Sequence, residues 1–313
     1  MALSIHTNYS ALITNTALNK SNNALATNQQ RLGTGLRINS AADDAAGLQI
    51  ATRLNAQSRG MAVAMRNVGD AVSMLQTAEG AFNEMTDIVQ RMKDLATQGA
   101  NGTNSDDDLM ALEAEYAELG AELKNIFTNT RYAGEELFDS KVGTALTADA
   151  ATGKLSQKDG FNFQIGASAD ETMEMKIGDK LIALNTALTK ISDDYAGTTK
   201  AADSAGNIAF KDTAGAGAVT NKTADLITDI SDALDSIGEV RAELGAKINR
   251  LNHTSNNLAN MKDNTDMSKG RIMDADFALE SANMSKNSML MQSGISMLKQ
   301  AGQMPGLVMS LLG

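Results

Sequence analysis

The chain lacks cysteine and tryptophan, and its 313 residues include a single proline (Pro305) and two histidines (His6 and His253). Without cysteine there can be no disulfide scaffold, zinc–thiolate site or cysteine nucleophile. Aromatic residues make up only 4% of the chain. That is little for compact cores of this size, because aromatic side chains usually supply much of the buried area. One proline in so long a chain indicates long uninterrupted elements rather than many turns.

Acidic residues are absent from both ends of the chain. Residues 1–42 and 281–313 contain no Asp or Glu, so all 38 acids lie between them, together with 22 of the 27 bases. The middle therefore carries a charge of −16 between ends that sum to +5, for a total of −11. This balance disfavours nucleic-acid binding, which needs clustered Lys and Arg. The two ends are chemically alike, which indicates that they share one environment.

Nothing in the sequence is typical of a membrane segment or of a secretory signal. No stretch approaches the ~18 apolar residues of a transmembrane helix. The first 19 residues carry no Lys or Arg and lead into no apolar run. We therefore expect no membrane insertion and no export by the signal-peptide route.

Hydrophobic residues recur at steps of three and four, the spacing of coiled-coil helices. The pattern covers five segments, for example Leu18, Leu25 and Leu32 near one end and Met284, Met291 and Leu298 near the other. A helix from about Asp44 to Gln98 would be roughly 80 Å long at ~1.5 Å per residue, too long for a single globular domain. We therefore predict a mainly α fold, a long coiled-coil helical rod built from both chain ends.

A small insert interrupts this helical pattern. A turn is expected at residues 101–104, followed by a helix capped by Ser105 or Asp106. Alternating apolar residues predict a β-hairpin over residues 161–177. Spaced leucines then predict a short helix from Leu181 to Ile191, and residues Tyr195–Thr220 are interpreted as a surface loop or a small weak subdomain.

Blocks at both ends resemble bacterial flagellins. At the N-terminal end these include Arg31–Gly47 (RLGTGLRINSAADDAAG), and toward the C-terminus Ile248–Leu258 (INRLNHTSNNL), Arg271–Ala278 (RIMDADFA) and Gln300–Leu312 (QAGQMPGLVMSLL). The resemblance implies terminal arms, residues 1–42 and 273–313, that form the inner core of a filament. It implies a rod domain of residues 43–177 and 222–272 with the hairpin 161–177, and a small variable, surface-exposed segment, residues 178–221.

The resemblance also implies a function. Flagellins polymerise with other copies of themselves into the helical filament of the flagellum, which is used for motility, and are exported unfolded through the flagellar type III system. Expected partners are an export chaperone, hook-associated and cap proteins and a host toll-like receptor, and the expected location is extracellular. Two alternatives stay open: a hook–filament junction or other flagellar axial protein, and a filament with added adhesin activity in residues 178–221.

Four groups of residues follow as site predictions. The polymerisation interface is expected at Leu18, Leu25, Leu32, Leu36, Met284, Met291, Ile295 and Leu298. The arm–rod linker is expected at Arg37, Asn39, Asp43 and Asp44, with Ser40 or Asp43 capping the next helix. Receptor recognition would use Gln90, Arg91, Leu95, Gln98 and Glu115. Chaperone binding would use Leu307, Val308, Leu311 and Leu312.

No enzymatic pattern is present. The two histidines lie far apart without HExxH spacing, and there is no glycine-rich phosphate loop or nucleophile elbow. We therefore predict no catalytic residue, no cofactor and no metal, and a structural protein rather than an enzyme.

Overall fold

Long helices contributed by both ends of the chain dominate the computed structural model, which describes residues 8–138, 153–157, 160–192, 195 and 223–312. Within these residues there are six helices and two antiparallel hairpins. The helices are α1 (Tyr9–Thr34), α2 (Ala45–Gly99), α3 (Asp106–Asn129), α4 (Gly178–Ile191), α5 (Thr223–Met273) and α6 (Phe277–Leu312). The strands are β1 (Arg131–Tyr132), β2 (Glu135–Glu136), β3 (Phe161–Gln164) and β4 (Thr172–Met175). The predicted mainly α fold is confirmed.

The chain divides into two compact units. The first, which we call the terminal unit, contains the residues up to Arg59 and those from Met261 onward. The second, the central unit, runs from Gly60 to Asn260. Both α2 and α5 contribute residues to each unit.

The terminal unit contains the pair formed by α1 and α6. Helix α1 begins after Asn8, whose side-chain oxygen accepts a hydrogen bond from the Ala11 backbone N–H at 3.0 Å. It ends at Gly35, where φ is +72° and the backbone N–H donates to the Arg31 carbonyl at 2.8 Å. Glycine adopts this left-handed conformation without the steric cost that a Cβ brings, so the chain turns sharply here.

The core of the central unit confirms the three-four spacing. Along α2 the buried side chains follow one stripe from Met61 to Leu95, and along α5 a second stripe runs from Leu226 to Leu258. Helix α3 starts with the predicted cap: Ser105 accepts from the Asp108 N–H, and Asp108 accepts from the Ser105 N–H. The Ser105 hydroxyl is the main group that lowers the pKa of the Asp108 carboxyl.

The predicted hairpin is confirmed as β3 paired with β4, from Phe161 opposite Met175 to Gln164 opposite Thr172. Met173 and Met175 are buried in the core of the central unit, and so are the four apolar positions of α4: Leu181, Leu184, Leu188 and Ile191. The expected surface segment, residues 178–221, therefore opens with a helix that packs into this core. Tyr195, the first residue of the predicted surface loop, is buried in this core as well, so the loop prediction is wrong at that residue. Residues 193–194 and 196–221 of the segment lie outside the described part of the chain.

Candidate assembly surfaces of the terminal helices

Helices α1 and α6 run antiparallel and touch along a seam. The Asn8 amide donates to the Ala301 carbonyl at 2.7 Å at one end. In the middle, a Cβ added to Gly294 would lie 3.1 Å from Leu18 Cδ1. Toward the other end, Arg31 Nη1 donates to Glu280 Oε1 at 3.1 Å. These three contacts fix which residues of the two helices face each other.

Six of the eight predicted interface residues repeat every seven residues and are half-buried: Leu18, Leu25 and Leu32 on α1, and Met284, Met291 and Leu298 on α6. Of these, Leu18 contacts α6 directly, at Gly294. Leu36 lies beyond the end of α1, where it forms an isolated antiparallel bridge with Asp274. Ile295 is 43% exposed. The seven-residue repeat therefore forms a seam within one chain.

Nine large apolar side chains outside the centre of the seam stay exposed in the single chain. They belong to α1 and α6 and are 43–67% exposed: Tyr9, Leu12, Ile13, Phe277, Leu279, Met289, Leu290, Ile295 and Met297. We call this set the exposed apolar face. Sequence reasoning included only Ile295 of these residues, because the heptad repeat marks the seam and says nothing about apolar residues beside it. Large apolar side chains left exposed in this number are available for burial against another protein surface.

Four polar side chains interrupt the seam, and sequence reasoning missed them. Arg31, Asn28, Glu280 and Asn287 form a group that we call the seam cluster. With its amide oriented to satisfy both neighbours, Asn28 donates to Glu280 Oε2 at 3.1 Å and accepts from Asn287 Nδ2 at 3.0 Å. Asn28 and Glu280 are buried, at 7% and 6% exposure. The sequence did offer one signal for this cluster: Asn28 lies three residues after Leu25 and four before Leu32, which is a seam position of the heptad repeat.

The linker residues form a hydrogen-bonded turn between α1 and α2. The Arg37 N–H donates to the Met273 carbonyl at 2.6 Å, and its guanidinium Nη2 donates to the Ile272 carbonyl at 2.8 Å. The Asn39 amide donates to the Leu36 carbonyl at 2.9 Å. The two Arg37 bonds tie the segment after α1 to the end of α5, and the Asn39 bond closes the turn within the segment.

The two aspartates of the linker have different roles, and the one at the start of α2 is Asp44 rather than the predicted Ser40 or Asp43. Asp43 accepts hydrogen bonds from the Ser40 and Asn39 backbone N–H groups, which lower the pKa of its carboxyl, Ser40 most. Asp44 Oδ1 accepts from the Gly47 N–H at 2.8 Å, at the start of α2. The prediction that Ser40 or Asp43 caps α2 is wrong: the side chain of Asp43 bonds the preceding turn and leaves Asp44 next to the helix.

Four of the five predicted receptor-recognition residues lie on the surface of the central unit. Arg91 Nε and Nη2 donate to Glu115 Oε1 at 2.9 and 2.6 Å, and both side chains are about half exposed. Gln90 and Gln98 are also exposed. Leu95, by contrast, is 1% exposed and belongs to the core.

The four predicted chaperone-binding residues fall on the last turns of α6, which continues to Leu312. The backbone there is helical, but the side chains of Leu307, Val308, Leu311 and Leu312 lie outside what the structure describes. Among the described residues, no helix combines the length and apolar character needed to span a bilayer.

Two family models match the chain, and together they cover more than half of it. The model of the bacterial flagellin N-terminal helical region matches residues 5–142, and that of the C-terminal helical region matches residues 227–312. The chain is 37% identical to Flagellin A of Vibrio anguillarum and 36% identical to Polar flagellin B/D of Vibrio parahaemolyticus. Both alignments cover 100% of this chain and 100% of the relative.

Among solved structures, the chain is similar to a Vibrio parahaemolyticus protein assigned as a flagellar hook-associated protein. The TM-score is 0.51 at 16% identity, and the match covers 74% of this chain and 100% of the other. At this identity the likeness concerns the fold alone and does not favour a junction role over a filament role.

Proposed function

Because the chain belongs to the bacterial flagellin family and is a structural subunit of the flagellar filament, we propose that the exposed apolar face makes its contacts between copies. Flagellins are structural proteins rather than enzymes, and their filament lies outside the cell. The narrower question is which side chains hold one subunit to the next. The single observation that carries the proposal is that nine large apolar side chains of α1 and α6 stay exposed after the two helices have paired.

The seam residues and the exposed apolar face differ in how much surface they can still bury against a second copy. The seam residues are already partly covered by the partner helix of the same chain, so they have less surface left to bury against another copy. The exposed residues have more: Met289 is 67% and Met297 61% exposed. Covering apolar surface releases about 25 cal/mol per Å², and a subunit in a helical polymer repeats the same contact on several neighbours. A heterologous contact of this kind propagates into an open filament instead of closing into a dimer.

The test is seeded polymerisation of the full-length chain, measured as the fraction that pellets and checked by electron microscopy. Leu290→Gln with Met297→Gln should reduce the pelleted fraction strongly while leaving the helix content of the soluble chain unchanged. Lys286→Gln with Lys299→Gln, at exposed positions on the same helix, is the matched control and should polymerise normally. Normal filaments from the apolar double variant would overturn the assignment of this face.

Export and chaperone binding are further proposals that rest on the family. We propose that the chain leaves the cell unfolded through the flagellar type III system. We also propose that a chaperone covers Leu307, Val308, Leu311 and Leu312 beforehand. Supporting this, the C-terminal segment has no charged residue after Lys299. A co-purification of the full chain with and without its last seven residues would test the chaperone contact.

Receptor recognition is proposed for the surface formed by Gln90, Arg91, Gln98 and Glu115. Supporting this, Arg91 and Glu115 stand together on neighbouring helices and are both exposed. Leu95 would act from within by holding α2 against the core rather than by touching a receptor. A receptor-activation assay should respond to Arg91→Ala, with Lys93→Ala on the same helix as the control.

Contacts with hook-associated and cap proteins are proposed for the ends of the filament, where the terminal unit of one copy lacks a neighbouring copy. The domain division of the family is proposed in the same way: arms in an inner core, a rod around it, and an outward segment. The described structure makes α4 and Tyr195 part of the central core, so we place the outward segment after Tyr195.

A further inference from the structure

The apolar part of the seam does not by itself define one register between α1 and α6. Leu18, Leu25 and Leu32 repeat every seven residues, and so do Met284, Met291 and Leu298. If one helix slides by seven residues, its Leu or Met residues again face Leu or Met residues of the other helix. Only the contacts at the two ends of the pair are lost. A repeat of this kind leaves competing registers close in free energy unless something distinguishes them.

We propose that the seam cluster of Asn28, Arg31, Glu280 and Asn287 is the specificity determinant that selects both the register and the partner of α1, allowing it to pair only with α6 and only in the observed alignment. The proposal concerns how the two arms recognise each other and does not require that the exposed apolar face mediates polymerisation.

Among alignments that differ by seven residues, only the observed one brings a base to Glu280. Glu280 is the only acidic residue of α6, and α1 contains no acid and two bases, Lys20 and Arg31. In the observed alignment Arg31 meets Glu280 at 3.1 Å, and the carboxylate side chain is only 8% exposed. A slip of seven residues in one direction would place Glu280 beyond the end of α1, and in the other direction beside Ala24, where no cation is available.

The same cluster disfavours pairing of like helices. Two copies of α1 would bring no carboxylate to Arg31. Two copies of α6 would bury Glu280 near a second Glu280, and the bases of that helix, Lys286 and Lys299, are exposed rather than on the seam. A pair of α6 helices would bury Glu280 without its cation, which is strongly unfavourable, and a pair of α1 helices would leave Arg31 without its carboxylate, so both homotypic pairs are disfavoured.

Incomplete hydrogen bonding argues that the cluster serves specificity rather than stability. Within the described residues, Arg31 Nε is buried and has no hydrogen-bond partner. Apolar residues of similar volume would fill such a site at no loss or even with a gain in stability. Polar residues at a seam position instead specify register at a cost in stability, as a buried Asn does in coiled coils.

The absence of cysteine allows the register to be read by introduced disulfides. A Cβ at Gly294 would lie 4.0 Å from Leu18 Cβ, within the ~3.5–4.5 Å range of disulfides. Leu18→Cys with Gly294→Cys therefore reports the observed register. Leu18→Cys with Ala301→Cys reports a seven-residue slip, because Ala301 is about 10 Å further along the helix in the observed alignment.

The experiment oxidises each full-length double-cysteine chain with oxidised glutathione, both in solution and in seeded filaments, and identifies the linked peptides by mass spectrometry. We expect the 18–294 link to exceed the 18–301 link by at least about tenfold, because a slip that brings Leu18 opposite Ala301 carries Glu280 past the end of α1 and breaks its contacts with Arg31 and Asn28. Replacing the cluster by Asn28→Leu, Arg31→Met, Glu280→Met and Asn287→Leu should keep the helices paired and bring the two yields within about threefold. Lys20→Met with Lys286→Met, which removes two exposed charges from the same helices, should leave the original ratio.

A charge exchange separates pairing from simple helix stability. Arg31→Glu alone should lower the ratio of the two links, and adding Glu280→Arg should restore it. The proposal is overturned if the apolar variant keeps its tenfold preference, if the starting chain forms both links equally, or if the charge exchange fails to restore the ratio. Because the links form within one chain, a failure of filament assembly alone would leave this readout intact and would count only against the proposed assembly face.

Discussion

Replacing Phe138 by alanine should destabilise the central unit more than most single substitutions could. Phe138 is 1% exposed, and its ring centroid lies 4.8 Å from that of Phe82 and 5.1 Å from that of Phe127. Phe-to-Ala substitutions in cores cost about 3–5 kcal/mol of the free energy of unfolding. Each lost aromatic pair adds ~0.5–1.5 kcal/mol, so we expect the upper half of that range.

Urea denaturation of the full chain measures this effect. With an m-value of about 2 kcal/mol per M, the midpoint of the transition should fall by roughly 2 M. Tyrosine fluorescence is a suitable probe, because the chain has no Trp and both Tyr116 and Tyr195 are buried in the central unit. Phe277→Ala is the matched control: this ring is 60% exposed, so its loss should cost less than about 0.5 kcal/mol. Equal shifts for the two variants would refute the assignment of Phe138 to the core.

Three further substitutions test single interactions. Ser105→Ala removes the capping box of α3 and should lower the free energy of unfolding by about 1 kcal/mol, seen as an earlier thermal transition; an unchanged transition would contradict the cap. Tyr195→Phe removes the 2.9 Å hydrogen bond to Asn185 Oδ1 and leaves that amide oxygen buried, at a similar cost of about 1 kcal/mol in urea. Hydrogen bonds from Lys262 and then Ser58 lower the pKa of Asp266 to about 2, below its ordinary value of 3.8. A lowered carboxyl pKa contributes stability that is present above pH 3.8 and is lost as the pH falls toward 2. Asp266→Asn should therefore flatten that part of the pH profile of thermal stability. An unaltered profile would contradict the hydrogen bonds of Asp266.

The helices and the hairpin were predictable because their signals are local. A three-four spacing of apolar residues, a Ser-x-x-Asp cap and an alternating strand pattern each act over a few residues, and each is present in the folded chain. The Ser105 cap and the pairing of β3 with β4 are examples. The α2 helix was predicted to within a residue at each end for the same reason, since no proline or glycine cluster interrupts it.

The linker shows where local reasoning was insufficient. Ser40, Asp43 and Asp44 are all good capping residues, and propensity does not rank them. The folded turn decides the question, because the Asp43 carboxylate is already used by the N–H groups of Asn39 and Ser40 and only Asp44 lies within reach of Gly47.

Residue order alone was enough for the family, the helical content and the sharing of one environment by the two acid-free ends, since periodicity, long motifs and charge distribution are properties of the chain. Which residues of α1 and α6 face each other could not be read from residue order. That Leu18 faces Gly294 within the same chain, that Met289 and Met297 remain exposed, and that Arg31 meets the only acid of α6 became apparent only from the tertiary structure. The physical reason is that a heptad repeat specifies a face and not a partner: seven-residue slips look alike in sequence, and only contacts between residues some 250 positions apart, such as that of Arg31 with Glu280 (|i−j| = 249), distinguish one from another.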